Sequence, residues 1–85
     1  MACYNIMAIL VNRRSNNAIQ MQEALTRHGC KIKVRLGLHE AGDVCSEEGL
    51  VILQLCGTNE EIRELERDLN ALEGVNAKTI NICSD

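Results

Sequence analysis

Apolar and polar residues alternate strictly from Cys30 to Leu38, Cys-Lys-Ile-Lys-Val-Arg-Leu-Gly-Leu. Side chains on a strand have period two, so this stretch predicts a strand. Cys30, Ile32, Val34, Leu36 and Leu38 would share a buried face, and Lys31, Lys33, Arg35 and Gly37 a basic one. Ile6–Val11 is apolar throughout, and Leu50–Cys56 is broken only by Gln54. Such runs suit strands at the centre of a sheet. After Asn12-Arg13-Arg14 the period changes. Ser15 is a suitable N-cap, and Ala18, Met21, Leu25 and His28 fall on one helical stripe, with Gly29 placed to end the helix. A second helix is announced by Thr58 and Glu61 at capping-box spacing. Its stripe is Ile62, Leu65, Leu69 and Leu72, and Gly74 is its stop. Val75–Cys83 reads as a last strand, more polar than the central two, as an edge strand should be.

The order is β-α-β followed by β-α-β. Two right-handed split crossovers of this kind give an α+β ferredoxin-like sandwich, a four-stranded antiparallel sheet with both helices on one face. Residues 1–85 form one domain, with Ile6–Val11 and Leu50–Cys56 in the middle of the sheet. The helices cover one face only, yet both central strands are apolar on both faces. Leu50, Ile52 and Cys56 alternate with Val51, Leu53 and Leu55, so one set looks away from the helices. An open apolar face on a small domain marks an interface, so a homodimer or tetramer, or another protein partner, is expected there or along the sheet edge.

Composition sharpens this expectation. The 85 residues include one Tyr and no Phe or Trp. A chain this short buries only ~60% of its unfolded surface, so association would add burial that the core lacks. Net charge is −3, and no field favours nucleic acid. The two core helices leave no separate DNA-reading pair, so no direct nucleic-acid contact is expected. No run reaches the ~20 apolar residues of a membrane span. Five cysteines, Cys3, Cys30, Cys45, Cys56 and Cys83, occur without C-x-x-C spacing. An odd number and no secretory leader predict free thiols in a reducing cytoplasm, with Cys30, Cys56 and Cys83 as small buried hydrophobes.

Missing residues remove several functions that this fold hosts. There is no clustered Cys for an iron–sulfur centre, and no pair of Cys after the first strand for copper transfer. The inner strands carry no aromatic to stack a base. The loop Asn-Arg-Arg-Ser-Asn-Asn is not a glycine-rich phosphate loop. What survives is a small-molecule-binding regulatory module. Ile9–Arg13 through Ala18, then Leu25-Thr26-Arg27-His28-Gly29-Cys30-Lys31-Ile32, resembles an ACT domain. Together with Val34-Arg35-Leu36-Gly37, the Glu-rich loop, Leu50–Leu55 and Gly74-Val75-Asn76-Ala77-Lys78-Thr79, it resembles the small stand-alone ACT-like proteins described as iron-only hydrogenase system regulators.

The resemblance implies a regulatory, effector-binding homo-oligomer tied to hydrogenase expression or maturation. ACT domains bind amino acids between subunits, at the loop after the first strand. Carried over, that loop is Asn12, Arg13, Arg14, Ser15, Asn16 and Asn17. Where many ACT domains have Pro-Gly, this chain has Arg14-Ser15 or Ser15-Asn16, so a different ligand, or none, is implied. The residues themselves give two readings of the loop. Two guanidiniums beside the free N–H groups of a helix start could hold a small anionic or amino-acid effector, or the turn could simply be solvated.

Lys31, Lys33 and Arg35 fit the charges that protect an edge strand. His39, Glu40, Asp43, Cys45, Glu47 and Glu48 share one loop of metal-capable side chains, but without a ligand spacing they read as a polar acidic loop. His28 suits capping of the first helix. No nucleophile, base and orienting group can be assembled, so no catalytic residue, no cofactor and no enzyme is expected. Two alternatives stand beside the effector-binding reading. One is a metal or redox sensor built on the loop and thiols, and the other is an interaction subunit that binds nothing small.

Overall fold

In the computed structural model, residues 2–12, 18–38 and 48–84 are described. The elements are β1 (Cys3–Asn12), α1 (Ala18–Arg27), a short 3-10 helix (Gly29–Lys31), β2 (Ile32–Leu38), β3 (Glu48–Leu55), α2 (Asn59–Asn70) and β4 (Val75–Cys83). The four strands form one sheet in the order β2-β3-β1-β4, and every neighbouring pair is antiparallel. The predicted α+β ferredoxin-like sandwich is therefore the observed fold, with the two most apolar runs in the middle.

The core lies between the sheet and the helices. Met7, Ile9 and Val11 of β1, Leu53 and Leu55 of β3, and Val75 and Ala77 of β4 are buried there. Against them pack Met21, Ala24 and Leu25 of α1 and Ile62, Leu65 and Leu69 of α2, with Ile32, Val51 and Leu72 partly buried around them. Met21 and Leu25 of the first predicted stripe, and Ile62, Leu65 and Leu69 of the second, thus face inward, as a 3.6-residue period requires.

Capping fixes where α2 begins. The Glu61 N–H donates to the Thr58 hydroxyl oxygen at 3.1 Å, and the Thr58 N–H donates to Glu61 Oε1 at 2.9 Å. Hydrogen bonding to the Glu61 carboxyl from the Thr58 backbone, and then from its side chain, holds that carboxyl below its usual pKa, with the nearby Lys31 adding a smaller pull in the same direction. Thr58→Ala removes one half of the box and should cost about 1 kcal/mol in urea unfolding. A loss near zero would mean the bond is solvent-equivalent. Past the helix, Gly74 takes φ 79°, a left-handed conformation that a side chain resists. Its carbonyl accepts from the Asn12 N–H at 2.7 Å, tying the end of β1 to the start of β4.

Gly29 does not play the predicted part. Among the described residues the left-handed glycines are Gly57 and Gly74, and Gly29 instead opens the 3-10 helix. His28 also differs from its expected capping role. It is buried, and Nε2 lies 3.0 Å from Asp68 Oδ2, so it joins the end of α1 to α2. Nδ1 is buried with no hydrogen-bond partner.

The largest departure concerns the alternating stretch itself. Ile32 pairs with Leu55, but Val34 pairs with Gln54, so Lys33 is an extra residue in a β-bulge. One extra residue swaps the faces of everything beyond it. Val34 and Leu36 therefore lie on the side away from the helices, opposite Gln54 and Ile52, while Arg35 lies opposite the buried Leu53. The face predicted to be buried is about half exposed at Val34 and Leu36. Cys30 and Lys31 belong to the 3-10 helix rather than to the strand.

Candidate functional site

Two ends of the sheet carry the residues singled out from the sequence. At one end β1 finishes with Asn12 opposite Glu48, the first residue of β3. Leu38, the last residue of β2, pairs with Leu50, and β4 starts with Val75 opposite Val11. The end of β1, the end of β2 and the start of β3 thus lie at the same end of the sheet. Of the predicted ligand-binding residues, Asn12 is described there. Arg13, Arg14, Ser15, Asn16 and Asn17 lie outside the described residues, as do His39, Glu40, Asp43, Cys45 and Glu47 of the metal-capable loop. Among the described residues no group of three or more His, Cys, Asp or Glu is placed to hold a metal ion.

The opposite end collects cysteines. Cys3 and Cys83, directly across from each other on β1 and β4, form a disulfide with Cα atoms 4.0 Å apart. This overturns the expectation that every thiol is free. The spacing in sequence hid it, because the two residues come from the outermost strands of the chain and meet only once β1 and β4 pair. The bond sits poorly with a reducing cytoplasm. Cys30 and Cys56 are free, and both are exposed rather than buried. Their neighbourhood is fixed by backbone bonds. The Cys56 N–H donates to the Lys31 carbonyl at 2.8 Å, and the Cys56 sulfur lies 3.9 Å from the Cys30 carbonyl oxygen. Lys31 Nζ lies 3.4 Å from Glu61 Oε2, so this lysine is spent on α2 rather than on edge protection.

A third region was legible only in part. On the side of the sheet away from the helices, the register forms rows. Val34, Gln54, Ile6 and Ile80 make one row, and Leu36, Ile52, Ala8 and Lys78 the next. Leu50, Leu10 and Asn76 follow on one side, and Tyr4 with Ile82 on the other. Tyr4, Leu10, Val34, Leu36, Leu50, Ile80 and Ile82 keep 36% to 55% of their surface exposed. The central-strand contribution follows from two-sided apolar runs. The contribution of β2 does not, because it depends on the bulge.

Among the described helices none is long and apolar enough to cross a membrane. The chain matches no protein-family model and no curated relative. It is similar in structure to an uncharacterized protein from Thermotoga maritima, 24% identical over 96% of this chain and 100% of that one, with a TM-score of 0.82. A candidate PII-like signaling protein from Thermus thermophilus is 15% identical over 95% of this chain and 88% of that one, at a TM-score of 0.61. A nitrogen regulatory PII-like protein from Thiomonas intermedia, bound to ADP, AMP and bicarbonate, is also 15% identical. It matches 98% of this chain and 93% of that one, at a TM-score of 0.58. At these identities the likeness is one of fold.

Proposed function

We propose that this chain is a non-enzymatic regulatory protein of the ACT-like kind, which binds a small anionic effector and acts as an assembly of copies. The observation that carries the reading is the fold match, over nearly the whole chain, to a nitrogen regulatory PII-like protein bound to ADP, AMP and bicarbonate. Anions of that class need N–H groups and positive charge. The sequence places Arg13 and Arg14 between β1 and α1, and the first N–H groups of a helix have no partner within it. Asn12, the last residue of β1, stands just before them. The sequence likeness to iron-only hydrogenase system regulators supports a place for the protein in hydrogenase expression or maturation, reached through a protein partner.

A thermal-shift screen tests the effector. Amino acids, ADP, AMP, bicarbonate and simple anions are offered at millimolar concentration. A true effector present at 100 times its Kd adds about 2.7 kcal/mol, which raises Tm by roughly 10 °C or more in a domain of this size. Arg13→Ala with Arg14→Ala should abolish that shift. A wild type that responds to none of them removes the effector reading. A double variant that responds like the wild type moves the site elsewhere. The exposed disulfide and the two exposed thiols support a second reading, a thiol-based redox sensor.

A further inference from the structure

We infer that the open face of the sheet is the interface of a twofold homodimer, in which two copies pack sheet against sheet. The inference names the contact surface of the assembly proposed above and stands without the effector.

Three observations carry it. The first is area. Four strands ~4.8 Å apart, over seven residues at ~3.3 Å each, give a flat footprint of roughly 400 Å² before side-chain relief is added. That is as large as the largest apolar patch of a typical monomer, ~300–600 Å². With relief and a polar rim it approaches the ~800 Å² per partner of a standard interface.

The second is chemistry. Seven of the eight exposed large hydrophobics of the described residues lie on this face, and the exception is Ile19 of α1. The row Leu36, Ile52, Ala8 and Lys78 meets a charge only in its outermost column, where a lysine can reach solvent beside a second sheet. A patch almost without charge at its centre suits an isologous contact, because no group there would face its own like charge across the axis.

The third is that both edges of the sheet are blunted. Along β4, Asn70 of α2 takes both backbone groups of Ala77: its Nδ2 donates to the carbonyl at 3.0 Å, and the Ala77 N–H donates to its Oδ1 at 2.7 Å. Along β2, the bulge at Lys33 interrupts the strand. Devices of this kind stop edge-to-edge pairing, and they leave the face as the surface for a second copy. The same bulge that blunts the β2 edge adds Val34 and Leu36 to the face, so one irregularity serves both ends.

Sedimentation of the full chain at tens of micromolar should give a dimer. Leu36→Glu with Ile80→Glu places four acidic groups in the dimer interface and should weaken association at least a hundredfold. The variant should stay folded, because both side chains are more than half exposed in one copy; circular dichroism checks this. A monomeric wild type overturns the inference, and so does a folded double variant that dimerises as before. Should the variant fail to fold, isotope-filtered NMR on mixed labelled and unlabelled wild type decides. Contacts between copies from the Tyr4 ring or the Leu36, Ile52 and Ile80 methyls uphold the face, and a dimer without them overturns it. None of these results depends on ligand, so a failed effector screen leaves the inference standing.

Discussion

Leu69→Ala should destabilise the protein by about 2–5 kcal/mol, a large part of the 5–15 kcal/mol that holds a small domain folded. Leu69 has no exposed surface and sits in the middle of the α2 stripe. It belongs to one buried cluster with Met7 and Ile9 of β1, Leu53 of β3, Leu65 of its own helix and residues of β4 and α1. Removing its branched end leaves a void in a core drawn from three strands and two helices, which cannot all move to fill it. With no Phe or Trp in the chain, no larger side chain stands by to occupy the space. The expected signature is a fall in Tm of roughly 10 °C or more, with an unchanged m-value in urea. Ile19→Ala is the control. Ile19 is 71% exposed on the outer side of α1, and its loss should stay within about 0.5 kcal/mol. Equal effects from the two substitutions would mean that α2 does not pack on the sheet as described.

Periodicity made most of this fold legible. The stripe of α2, its capping box, and the two-sided runs of β1 and β3 all carried strong local signals, and each sits where its pattern places it. The open face followed from the same logic, since a strand apolar on both sides needs two covers and the helices supply one. The bulge at Lys33 was not legible, because strict alternation continues through it. Alternation reports that two faces differ, not which of them meets the helices; that is decided by pairing with β3, a long-range event. The disulfide was hidden for a similar reason. Counting cysteines treats them as a property of the compartment, whereas the meeting of Cys3 with Cys83 is a property of the register of β1 on β4. His28 illustrates a third kind of gap. Its place on the stripe of α1 was readable, but its partner Asp68 lies 40 residues away. The predicted effector-binding segment belongs to another category, since Arg13 to Asn17 lie outside the described residues and only Asn12 of the six is described.

Breaking the Cys3–Cys83 bond should cost a further 2–4 kcal/mol and lower Tm by roughly 10 °C or more. The two cysteines stand 80 residues apart in sequence, so the bond closes nearly the whole chain. In the chain-entropy account a loop of that length removes about 4.5 kcal/mol of freedom from the unfolded state, and measured values commonly fall below that figure. The native fold should survive reduction. The Ser84 N–H still donates to the Ala2 carbonyl at 2.8 Å, and the Ala2 N–H to the Ser84 hydroxyl at 3.0 Å, so the outer strands remain paired without the sulfurs. The loss therefore acts on the unfolded chain and should appear as a lower Tm with native circular dichroism. Alkylation in denaturant comes first: Cys3 and Cys83 should resist modification until a dithiol reductant turns the disulfide into two thiols and is itself oxidised to a cyclic disulfide. Melting curves with and without the reductant then give the shift, and Cys3→Ser with Cys83→Ser should reproduce the reduced curve. Alkylation of both residues without reductant would show that the bond does not form in the protein as purified. Full resistance with no shift in Tm would mean that β1–β4 pairing already persists in the unfolded ensemble, leaving the bond little entropy to remove. A large shift would instead make the exposed disulfide a reductant-sensitive control of stability. Tyr4 and Ile82, the residues next to the two cysteines, lie on the open face, so the bond stands at one margin of the surface where a second copy is proposed to sit.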